Sequence, residues 1–159
     1  GSRALWETGP AWQPLREVIE RLLVTWDFGE AFAALCLCLK PILDPLVAAG
    51  FGAEAHARGD YLLAEILASL DEDARWHHDW ARALVGTAIA LRPENRAGLA
   101  DAVARWSGPC ARAAVALGGL LVEIGPAGPA LADGYAAFLE PLGLGLPWIE
   151  ALEVLRSWR

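Results

Sequence analysis

LLVTWDFGEAFAALCLCLKP, running from Leu22 to Pro41, decides the fold. With Leu15 and Ile19 upstream, its residues Leu22, Trp26, Glu30, Ala33 and Leu37 recur every three or four positions, which is one face of an α-helix. Glu30 therefore shares a face with residues that belong in a core. A carboxylate there calls for a hydrogen-bonding partner, a counter-charge or a metal.

Working outward, Gly9-Pro10 and Pro14 make an entry turn, and a first long helix runs from there to about Lys40. Arg16/Glu20 and Glu17/Arg21, each four apart, mark its wet side. Pro41 and Pro45 kink or restart the helix, and Gly50-Phe51-Gly52 closes it as a hairpin turn. A second long helix is expected over Ala53–Leu91, with a defect at Gly59 and an inward stripe of Leu62, Ile66, Leu70, Asp73, Trp76/His77, Trp80, Leu84, Ala88 and Leu91. Pro93 ends it. Glu94–Trp106 makes a third helix, Gly108-Pro109 interrupts it, and the apolar run Cys110–Ile124 continues it. The tail, punctuated by glycines and prolines, leaves short helices near Ala130–Glu140 and Trp148–Trp158. No strand-like alternation remains, so the class is all-α: one long antiparallel helical hairpin plus shorter C-terminal helices.

At 159 residues the chain fits one domain. Gly1-Ser2 reads as a cloning remnant, leaving residues 3–159 as a single helical domain. A hydrophobic content of 55% points to apolar surface covered by a partner. The net charge of -7 and the absence of a Lys/Arg stripe argue against nucleic-acid binding. No signal peptide is evident, and the apolar runs look too short for the roughly 18–20 residues that cross a bilayer. Cys36, Cys38 and Cys110 lack metal spacing and read as buried reduced thiols, implying a cytoplasmic setting.

If the hairpin turns at residue 51 or 52, positions whose numbers sum to about 103 lie at one level. Glu30 and Asp73 meet that condition. Arg75, His77, Trp80 and Thr25 are the candidate partners for a buried cluster around them, the alternative being a metal that takes ligands from another chain.

The central stretch, with WQPLREVIER before it and DARWHHDWARAL and RPENRAGL after it, resembles the small (β) subunit of the hydroxylase in bacterial multicomponent monooxygenases, the toluene, phenol, methane and alkene systems. The family pattern ERLLVxYDWGEAFxALNLxxKP is met at Glu20–Leu23, Asp27, Gly29–Phe32 and Lys40-Pro41; Phe28 replaces the usual Trp, and Cys36 stands near the usual Asn. The resemblance is dense over the first two-thirds of the chain and covers approximately the C-terminal half of such a subunit. It implies a ferritin-like helical bundle.

Ferritin-like di-iron sites take Glu from one helix and Glu-x-x-His from its neighbour, twice over. The catalytic α subunits carry a pattern resembling Asp-Glu-x-Arg-His; here the stretch is Glu72-Asp73-Ala74-Arg75-Trp76. Indole offers no metal-binding lone pair, and Glu123, Glu140, Glu150 and Glu153 have no His three residues on. Glu30, Asp73 and Trp76 thus mark a degenerate site: no catalytic residue, no cofactor and no metal in this chain, with the di-iron centre in a partner α subunit. The resemblance implies a scaffold role, not an enzyme by itself. Trp6, Trp12, Trp148 and Trp158, flanking helix ends, are the candidate partner contacts. Self-association is expected when the chain is alone. The alternatives are a ferritin-like protein whose site forms between chains, and a helical adaptor or apolar-ligand carrier using the small-residue stretch Ala113–Gly125.

Overall fold

The computed structural model describes residues 2–121, 128–145 and 147–158. Gly1 of the terminal pair, Glu123, and residues 122–125 of the proposed carrier stretch lie outside these. Every regular element among the described residues is helical: α1 (Ser2–Thr8), α2 (Gln13–Leu23), α3 (Phe28–Ala57), α4 (Tyr61–Leu91), α5 (Asn95–Gly118), α6 (Gly128–Leu139) and α7 (Ile149–Ser157). The all-α class follows, but several boundaries differ from those expected.

The first long helix is two helices. α2 stops at Leu23, and α3 begins after Asp27, whose carboxylate accepts the backbone N–H of Glu30 at 2.7 Å. Asp27-x-x-Glu30 is an N-cap signature inside what otherwise reads as one continuous stripe. The hairpin turn also moves. Gly50-Phe51-Gly52 is helical, Gly50 is buried, and a Cβ at Gly52 would sit 3.6 Å from Leu67 Cβ. That is ordinary contact, so Gly52 packs against α4 without needing to be bare backbone.

The chain reverses instead at Arg58-Gly59-Asp60. Gly59 takes φ +81°, the left-handed conformation that ends many helices, and Asp60 accepts the N–H of Leu63 to start α4. Pro41 and Pro45 do not break α3. Wider π turns, Ala33–Leu39 and Leu46–Phe51, abut the prolines and absorb the missing N–H donors.

α5 runs unbroken through Gly108-Pro109, against the expected interruption. Val103, Trp106, Cys110, Ala114 and Leu117 are all buried on it, at three- or four-residue steps. α5 is the centre of the molecule: α2, α3 and α7 all pack on it, and α6 packs on α7. At Gly118 a Cβ would meet the Trp158 ring, so bare backbone lets that indole lie against α5, whereas at Gly108 it would meet only the carboxylate end of the long, exposed Glu150 side chain. Of the space expected beside Ala113–Gly125, the part at Gly118 is taken by the Trp158 ring.

By length and composition α3 would suffice to cross a bilayer, contrary to expectation, but 56% of its most apolar window is buried within this fold. Leu37, Cys38, Ile42 and Leu46 supply that burial.

Candidate functional site

With the reversal at Gly59, residues of α3 and α4 at one level have numbers summing to about 118 rather than 103. Glu30 is opposite Ala88. Asp73 lies about 15 residues, roughly 22 Å, further along α4. The two acids proposed as one degenerate site are therefore apart. Asp73 instead borders a depression with Lys40, Asp44 and His77.

Glu30 has other partners. The fully buried Trp106 donates its indole N–H to Glu30 Oε1 at 2.8 Å, and Arg105 donates Nε to the same oxygen and approaches Oε2 with Nη2, both at 3.2 Å. The indole N–H first, then the guanidinium, hold this carboxyl below the usual glutamate range despite its partial burial. Arg21 stacks 4.4 Å above the same indole. The expected cluster with Thr25, Arg75, His77 and Trp80 does not form: Thr25 caps the carbonyl of Arg21, and Arg75 pairs with Asp71.

Arg105 and Trp106 are the site residues that sequence reasoning missed. Their signal was the helical periodicity running through Gly108-Pro109, which places Trp106 on the core face of one long helix.

A second polar bridge joins α3 to α4. Asp44 accepts from Lys40 at 2.8 Å and contacts His78 Nε2 at 3.1 Å. Burial pushes its carboxyl up, but the His78 and Lys40 hydrogen bonds more than offset this and leave it below the ordinary aspartate value. The Phe138 ring, 5.5 Å from the His78 ring, closes the other side.

These residues do not fit a di-iron centre. Glu30 already binds a cation and an indole, Asp73 is far from it, and Trp76 points outward with 66% exposure. Among the described residues no three His, Cys, Asp or Glu side chains gather as metal ligands.

The tryptophans are distributed otherwise than their positions suggested. Trp26, Trp76 and Trp80, expected inward, lie outward, with Trp26 98% exposed. Trp148, a candidate partner contact, is 2% exposed in this chain's own core, and Trp158 packs over Gly118. Trp6 and Trp12 lean on each other, 6.3 Å between ring centroids, half-buried near the N-terminus. The expected thiols are free; burial pushes Cys38 up to about 12 and raises Cys110 well above its ordinary value.

Beside Glu30 a groove of about 600 Å³ opens between α3, α4 and α5, lined by Phe28, Phe32, Leu84, Ala88, Leu99 and Arg105 among others. It runs into a row of uncovered apolar side chains along α4.

Residues 1–91 match the profile of the Methane/Phenol/Alkene Hydroxylase family. The chain is 37% identical over 114 residues to the hydroxylase component subunit beta of the toluene-4-monooxygenase system of Ectopseudomonas mendocina, an alignment covering 72% of this chain and 35% of that protein. It is 28% identical to the hydroxylase component small subunit of propane 2-monooxygenase from Rhodococcus jostii (strain RHA1), covering 91% and 42%. Among solved structures it is similar to a chain of toluene 4-monooxygenase (T4moH) with toluene bound in the resting active site: TM-score 0.70, 36% identity, 75% of this chain and 39% of that one. The chain thus spans about a third to two-fifths of the length of these relatives.

Proposed function

Since the chain belongs to the methane, phenol and alkene hydroxylase family and has its ferritin-like helical fold, we propose that it is a non-catalytic, β-type structural subunit of a multicomponent monooxygenase hydroxylase. The observation that carries this reading is the fate of Glu30. The acid on the helix face where a ferritin-like protein would use a metal-binding carboxylate serves here to bolt α3 onto α5 through Arg105 and Trp106. A bundle locked in that way holds shape and presents surface. Chemistry on dioxygen and a hydrocarbon would belong to a larger, iron-bearing partner. The named relatives, from toluene and propane systems, support a hydrocarbon as that partner's substrate. The free thiols support work in the reducing cytoplasm.

Contact with the partner would come from the uncovered apolar residues, among them Trp26, Trp76 and Trp80, with Trp6 and Trp12 near the other end of α2. The test is purification from the native host through a tag on this chain, followed by separation of the subunits and iron analysis of each. The expected result is co-elution with a larger hydroxylase subunit that carries the iron. Recovery of this chain alone with one or more tightly held irons would overturn the proposal.

A further inference from the structure

We draw no further inference here: the strongest candidate, the depression between α2 and α5 where the Arg21 guanidinium stacks over the Trp106 ring, carries nothing, because the Glu17 carboxylate in the same depression offsets that charge, Glu150 already holds Arg112, and nothing in the structure shows what covers it.

Discussion

Glu30 illustrates how one side chain can be placed correctly on a face and wrongly in a neighbourhood. Its helical phase was readable from spacing, and so was its need for a partner; which partner depended on a turn eight residues further on than expected. Glu30→Gln should cost about 1–3 kcal/mol at neutral pH, because the buried Trp106 N–H keeps only a neutral acceptor and Arg105 loses its counter-charge. The folded-state pKa of Glu30 lies below its ordinary 4.5. The charge therefore stabilises the fold above that value, and the contribution disappears as pH falls through the folded-state pKa. Denaturant titrations of both proteins at pH 7 and pH 3 should show the difference shrinking in acid. Indoles divide in the same way. Trp106→Ala should destabilise by about 3–5 kcal/mol, whereas Trp26→Ala should leave the melting temperature nearly unchanged. Composition shows eight tryptophans without showing that the most apolar-looking stretch exposes one of them and that a Ser-Gly-Pro neighbourhood buries another.

At the level of elements, helix was legible nearly everywhere and its punctuation was not. Glycine pairs and prolines announce turns only where the backbone is not already held on both sides by packed neighbours. Gly50, Gly52, Gly108 and Pro109 all sit inside helices, with Gly50 and Gly108 buried. The signals that mattered were smaller: Asp27 and Asp60 as caps, and Gly59 with positive φ. Gly59→Ala should therefore cost about 1 kcal/mol, since the left-handed conformation penalises a side chain even though open space surrounds the position. Gly118→Val should cost more, because its side chain would run into the Trp158 ring that packs over that glycine and force the indole off α5. Thermal melts of the two variants rank these effects. A larger loss at Gly59 than at Gly118 would contradict the close packing of Trp158 on α5.

For the whole molecule, the apolar excess was readable as a call for a partner, and its location was not. Both faces of α4 look alike in sequence, and only the position of the hairpin turn decides which of them is covered. Thiol chemistry gives a global check on the core. Half-buried Cys36 should react with an aromatic disulfide reagent in the native state, while Cys38 and Cys110, fully buried and held in the protonated form, should react only at the rate of unfolding.

α5 supplies part of the cover of α3, and that order has a consequence during synthesis. α3 is finished at Ala57, yet its lid is complete only at Gly118. At about 5–20 residues per second the nascent chain carries a leucine-rich rod covered at most by α4 for roughly 3–12 s. Collapse takes microseconds, so neighbouring ribosomes on one message would hold such rods within reach of each other. Robust expression of this chain should depend on a chaperone that shields them until the lid emerges.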